Sequence, residues 1–204
     1  MVVMRKMTKI NSIKKIQRKI FLLLFFLSSV AIYSESDEIL KIREIYKRAQ
    51  EFQKSDSSNS IQYVRYWDED KKILSNWERF DKNSQKENDI LSLIRIFSKD
   101  DKVSSVLMEE NTPSGDWTCT TEYYFYENGK IAFVHSILST FYGNVRVEKR
   151  FYYNDSFRRI RELKSIYDLQ TNRELKDRSN DFIDRKVIVA KDIIALFKLL
   201  QLSR

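Results

Sequence analysis

Turn-forming residues punctuate the stretch from Pro113 to Tyr167 at nearly regular intervals: Pro113-Ser114-Gly115-Asp116, Asn128-Gly129, Gly143-Asn144 and Asn154-Asp155. The segments between them are rich in aromatic and β-branched residues, which suit a pleated, half-buried surface. Asn-Gly flanked by such segments is the strongest short-range hairpin signal, because a type I′ turn needs two positive φ angles. Strands joined by tight turns pair antiparallel with their neighbours. The stretch predicts a meander, and nothing else in the chain limits the fold as strongly.

The turns also predict a register. With Asn128-Gly129 turning, Phe125 faces Ala132, Tyr123 faces Val134 and Glu122 faces His135. With Gly143-Asn144 turning likewise, Leu138 faces Lys149, Ser136 faces Phe151 and His135 faces Tyr152. Side chains alternate along a strand. One face then gathers Tyr123, Phe125, Ala132, Val134, Leu138, Val147, Phe151 and Tyr153, the expected core side under a helix. The other gathers Glu122, Tyr124, Phe133, His135, Ile137, Glu148, Arg150 and Tyr152, the composition of a partly exposed surface.

Upstream, Ile39, Ile42, Tyr46, Ala49 and Phe52 recur at helical spacing, predicting a one-faced helix from about Asp37 to Gln53 with Ser34 or Ser36 as its N-cap. Ile61–Trp67 reads as a strand. Ile73–Phe80 reads as a second, with a helix through Trp77 as the alternative. Lys82–Asp89 is polar loop, and Ile90–Phe97 and Val103–Met108 are strands joined through Ser98-Lys99-Asp100-Asp101. At the far end Ile193, Ile194, Phe197 and Leu200 predict a helix with Asp192 in its first turn, while 186–190 is strand or the same helix continued. The expected fold is α+β, a single domain (35–204) in which an antiparallel meander of about six or seven strands is packed by an N-terminal and a C-terminal helix.

Charge assigns the compartment. The chain has 37 Lys/Arg against 29 Asp/Glu, but Arg5, Lys6, Lys9, Lys14, Lys15, Arg18 and Lys19 fall within residues 1–34, which contain no Asp or Glu. Setting those seven aside leaves 30 against 29, so the basic balance belongs to the N-terminus. Basic residues, then the apolar Ile20–Leu27, then Ser28, Ser29, Ala31 and Ser34 form the layout of a secretory signal peptide over 1–34. Cleavage is expected after Ala31 or Ser34, and Met1, Met4 or Met7 serves as the start. The stretch Ile20–Tyr33 falls short of the roughly 20 apolar residues a membrane span needs, leaving an uncleaved anchor as the alternative. Nucleic-acid binding is not expected, for it requires positive charge clustered in the folded part. One cysteine, Cys119, permits no internal disulfide.

Candidate chemistry is sparse. Glycine occurs only at 115, 129 and 143, so no phosphate loop, dinucleotide fingerprint or Gly-x-Ser-x-Gly elbow exists. One His and one Cys do not make a zinc site, and no metal or cofactor is expected. Glu122, His135 and Tyr152 form a cross-strand row that either serves general acid–base chemistry or is a hydrogen-bonded patch. Trp117, beside its turn, lines a groove or closes the core. Arg146, Arg150, Arg158, Arg159 and Arg161 either present guanidiniums to a carboxylate or phosphate or pair with the interleaved Glu148, Asp155 and Glu162. Trp117, Tyr124, Arg150 and Arg159 are the candidate binding side chains.

Pro113-Ser114-Gly115-Asp116-Trp117, Tyr123-Tyr124-Phe125-Tyr126-Glu127-Asn128-Gly129-Lys130 and Thr140-Phe141-Tyr142-Gly143-Asn144 together resemble segments of uncharacterised exported bacterial proteins, over about residues 110–165. Those are small domains whose aromatic strands surround Asn-Gly-Lys turns. The resemblance implies an exported domain and carries no functional residues with it. The expected function is non-enzymatic binding of a protein, envelope component or small ligand in the periplasm or outside the cell. The alternatives are an enzyme built on Glu122, His135 and Tyr152, or a structural envelope protein held by its N-terminus.

Overall fold

A computed structural model describes residues 37–55, 60–80, 90–176 and 184–202. The expected signal peptide, its cleavage sites, the caps Ser34 and Ser36 and the loop Lys82–Asp89 lie outside the described residues. By internal contacts the chain divides into two compact units, Met1–Lys41 and Ile42–Arg204. Of the first, residues 37–41 are described, and they are helical.

In the second unit helix α1 spans 42–55, and Ile42 and Ala49 on its apolar stripe are buried. The strands are β1 (Ile61–Asp68), β2 (Ile73–Leu74), β3 (Glu78–Arg79), β4 (Ile90–Lys99), β5 (Lys102–Asn111), β6 (Trp117–Phe125), β7 (Ile131–Thr140), β8 (Val145–Tyr153) and β9 (Arg159–Asp168), followed by helix α2 (Ile193–Leu200). All pair antiparallel in one sheet ordered β2-β1-β4-β5-β6-β7-β8-β9, with β3 also on β1. From β4 to β9 each strand pairs with its successor, the expected meander. The nine strands among the described residues exceed the six or seven expected, and the expected strand Ile73–Phe80 is not continuous but appears as β2 and β3, each two residues long.

Loop lengths differ from the expected turns, and each difference has a local cause. At Asn128-Gly129 only Gly129 has a positive φ, +77°. The loop is three residues, Glu127–Gly129: Tyr126 N–H donates to Lys130 O at 2.9 Å and Gly129 N–H donates to Tyr126 O at 2.9 Å. This hairpin class needs one left-handed residue rather than two. Phe125 consequently faces Ile131, not Ala132, while Tyr123–Val134 and Glu122–His135 stand as expected. The loop after β7 has four residues, 141–144, with Thr140 facing Val145. Leu138 therefore faces Val147, Ser136 faces Lys149 and His135 faces Arg150, a slip of two from the expected pairs. An even slip keeps every side chain on its own face. The two-residue hairpin with both φ positive occurs between β4 and β5, at Asp100 (51°) and Asp101 (58°).

The first face of the sheet carries the main core. Ile94, Ile96, Val106, Met108, Tyr123, Val134 and Phe151 pack with Ala190, Leu196, Leu200 and Leu202. Fully burying an aliphatic side chain of this size stabilises by about 1.5–3 kcal/mol. Residues 184–190 are neither strand nor helix; Val187, Val189 and Ala190 pack against this core, and the segment leads into α2. Asp192 caps that helix, its carboxylate accepting from Ala195 N–H at 2.8 Å. Ile193 N–H to Gly129 O (3.1 Å) and Ile131 N–H to Lys191 O (3.1 Å) tie the helix start to the β6–β7 turn.

The second face corrects an expectation. Glu122, His135, Ile137, Glu148 and Arg150 are partly exposed as expected, but Tyr124, Phe133 and Tyr152 are buried. Helix α1 covers it: the Tyr46 ring stands edge-on to Tyr124 (5.0 Å) and Phe133 (5.5 Å), and Gln53 Nε2 donates to Ser105 Oγ at 2.9 Å. The sheet lies between α1 and α2, because aromatic residues on both faces offer each apolar helix stripe a surface to bury.

Candidate functional site

His135 sits mid-strand on β7, on the face under α1, with its ring stacked 6.1 Å from that of Phe133. Its Nδ1 lies 3.1 Å from Glu122 Oε2 on β6, and its Nε2 lies 2.7 Å from Glu148 Oε1 on β8. Glu148 Oε1 also accepts from Arg150 Nε at 2.8 Å and from a second Arg150 nitrogen. The His135, Glu122 and Glu148 side chains are only 12%, 18% and 12% exposed, so solvent screens their charges weakly.

The chemistry follows from counting donors. Ionised carboxylates only accept hydrogen bonds, and a neutral imidazole has one donor and one acceptor. Facing carboxylates on both sides, the ring satisfies both contacts only as imidazolium. Burial by itself disfavours that charge, but hydrogen bonds to Glu122 and Glu148 outweigh it and raise the His135 pKa above its ordinary 6.5. Burial likewise opposes ionisation of Glu148, yet Arg150 and His135 hold its carboxyl below the usual range. Two anions and two cations alternate along the chain Glu122–His135–Glu148–Arg150. A general base needs a free nitrogen lone pair, and in this arrangement both ring nitrogens are engaged. The geometry fits a charge-balanced clamp beneath α1.

The row expected from the sequence is met only in part. Glu122 and His135 come together, whereas Tyr152 faces Phe133 and Arg161 and tilts its ring against Phe133 at 4.7 Å. Glu148 takes the place next to His135, because the four-residue loop sets Arg150, not Tyr152, opposite the imidazole. Knowing the loop length would have revealed it in the sequence. Of the binding candidates, Tyr124 is wholly buried under Tyr46 and presents nothing to solvent. Arg150 is engaged with Glu148, and Arg159 pairs with Glu162 at 2.6 Å. Trp117 is partly buried on the opposite face, against Cys119, Leu138, Val145 and Val147. The structure does not bring the four together.

The Cys119 thiol is buried, which pushes its pKa up, and it neighbours Thr121 and Ser136. Among the described residues no His/Cys/Asp/Glu cluster could hold a metal, and no helix is long and apolar enough to cross a membrane. An open depression of about 360 Å³ beside β9 is lined by Lys164, Ser165, Ile166, Glu174, Leu175 and Lys176. No protein-family model matches the chain, and no curated protein or solved structure matches it either.

Proposed function

We propose that the chain is an exported domain of the periplasm or cell exterior that works by binding a protein, envelope component or small ligand, not by catalysis. The observation that carries this reading is the tip of the β7–β8 loop, where Phe141 is 71% and Tyr142 61% exposed. The loop is held in place from several sides. Phe141 N–H donates to Asp116 O at 3.0 Å, and Tyr142 N–H donates to Thr140 Oγ1 at 3.1 Å. Asn144 Nδ2 donates to Asp168 Oδ2 at 3.2 Å, and Leu169 N–H donates to Asn144 O at 3.0 Å. Aromatic rings presented on a pre-organised backbone lose little entropy on association, and such side chains dominate interface energetics.

Two further observations support the reading. The near-neutral charge of residues 35–204 disfavours nucleic acid. The engagement of both His135 nitrogens disfavours acid–base catalysis. Export rests on the layout of residues 1–34. The test is mass spectrometry of the natively exported protein and whatever co-purifies, run beside a Phe141→Ser/Tyr142→Ser variant. A partner or ligand retained by the parent and lost from a variant of unchanged melting temperature supports the proposal. Equal retention by both refutes the role of the loop. An unprocessed chain in the cytoplasm refutes export, and one starting near Met1 in the membrane fraction marks an anchored protein instead.

A further inference from the structure

Helix α2 and the 184–190 segment that leads into it carry apolar residues on both their sides. Val187, Val189, Ala190, Leu196, Leu200 and Leu202 pack into the core. Exposure alternates along 184–189, which leaves Lys186 and Ile188 on the outside. In α2, Ile194 and Lys198 stand four residues apart, as do Ala195 and Leu199, and residues at that spacing are neighbours on a helix surface. This side of the helix is turned away from the buried Leu196 and Leu200. On it Ile194 is 64% and Leu199 57% exposed, and Ile188 just before the helix is 38% exposed.

Seven of the eight residues of α2 are apolar, Lys198 being the exception. A helix apolar all round belongs in an interior, yet one side of α2 faces water. Cations accompany that side: Lys186, Lys191 and Lys198 are all exposed. The acids of the same layer are already engaged. Asp184 pairs with Lys149 at 2.6 Å and Lys164 at 3.0 Å. Asp192 caps the helix through Ala195 N–H and lies 3.9 Å from Lys191. The outer surface of this layer is therefore aliphatic and net cationic.

We propose that the outer side of α2, with Ile188, docks on an anionic lipid surface. Binding in the plane of a membrane interface grows with the apolar area buried and with attraction of basic residues to anionic headgroups. Ile194, Leu199 and Ile188 supply the first. Lysines supply the second, their stems lying along apolar surface while the ammonium reaches the headgroups. A second copy fits worse, because a two-fold contact sets one patch against itself and brings the same three lysines together from both sides. Ile193 N–H to Gly129 O (3.1 Å) fixes the helix start at the β6–β7 turn, and the Phe141–Tyr142 loop lies at the other end of β7. The two surfaces are separate, and the test of this one does not depend on the reading of that loop.

The experiment floats the natively exported protein with vesicles of phosphatidylcholine alone or of phosphatidylcholine mixed with anionic phosphatidylglycerol. The parent is expected to float with the anionic vesicles and to be released by salt. Lys191→Gln/Lys198→Gln is expected to weaken partitioning by at least about tenfold, each lysine near an anionic surface being worth about fivefold. Ile194→Ser/Leu199→Ser is expected to weaken it by at least about tenfold with the melting temperature unchanged, since both side chains already stand mostly in water. Parent and variants share one N-terminus, so the difference between them belongs to α2. A parent that leaves anionic vesicles unbound overturns the proposal. So does equal partitioning by the Ile194→Ser/Leu199→Ser variant, and so does equal affinity for the two kinds of vesicle. A parent that self-associates in solution and ignores vesicles, with the serine variant monomeric, overturns it in favour of a second copy.

Discussion

Replacing His135 with phenylalanine keeps a flat ring against Phe133 and removes both donors that Glu122 and Glu148 share. The two carboxylates are left on the same face, 18% and 12% exposed, with Arg150 still attached to Glu148 alone. Breaking a buried ion pair by deleting one partner costs about 3–5 kcal/mol. Arg150 remains and α1 can yield slightly, so a loss of about 3 kcal/mol at neutral pH is expected. Urea denaturation of parent and variant across a pH series measures it. A histidine whose pKa is raised on folding contributes stability that is complete below its ordinary 6.5 and disappears as pH rises through the raised value. Glu148, whose pKa is lowered, contributes stability present above its ordinary 4.5 and lost as pH falls through the lowered value. The stability difference between parent and variant is therefore largest between those two ranges and shrinks toward both extremes. A difference that stays flat, or grows as the solution becomes alkaline, would mean a neutral imidazole and refute the clamp.

Three other outcomes are expected. Leu196→Ala, at a position with 1% exposure between α2 and the sheet, lowers unfolding free energy by about 2–5 kcal/mol; a loss under about 1 kcal/mol would mean α2 is not packed as described. Phe157 has φ +60° and occupies the loop position that Gly129 holds in the β6–β7 turn, so Phe157→Gly should exceed Phe157→Ala in stability by about 1 kcal/mol. Both variants lose the ring stacked 5.2 Å from Tyr153, which leaves backbone strain as the difference, and equal stabilities in chemical denaturation would remove that strain from the account. Cys119, buried and with its pKa pushed up, should react with a thiol reagent only as fast as the protein opens; labelling at the rate of a free thiol would contradict its placement.

Hairpin chemistry and alternation determined much of this protein from the sequence alone. Turn residues placed the reversals from Pro113 onward, and period-two patterning assigned Tyr123 and Phe151 to one face and Glu122, His135 and Glu148 to the other. Those assignments depend on neighbours in sequence, and an even register slip leaves them unchanged. Turn residues show where a chain reverses but not how many residues the reversal uses. The loop 141–144 therefore moved Arg150 opposite His135 and brought in Glu148. Composition likewise could not say whether the mixed aromatic face meets water. Only the docking of α1 through Tyr46 decided that Tyr124 is interior. The meeting of Arg185 with Glu110 and Trp117 joins segments far apart in the chain, and no local periodicity encodes such a contact. Short-range sterics and side-chain alternation are written residue by residue, whereas the partners of a buried charge are chosen by packing over the whole sheet.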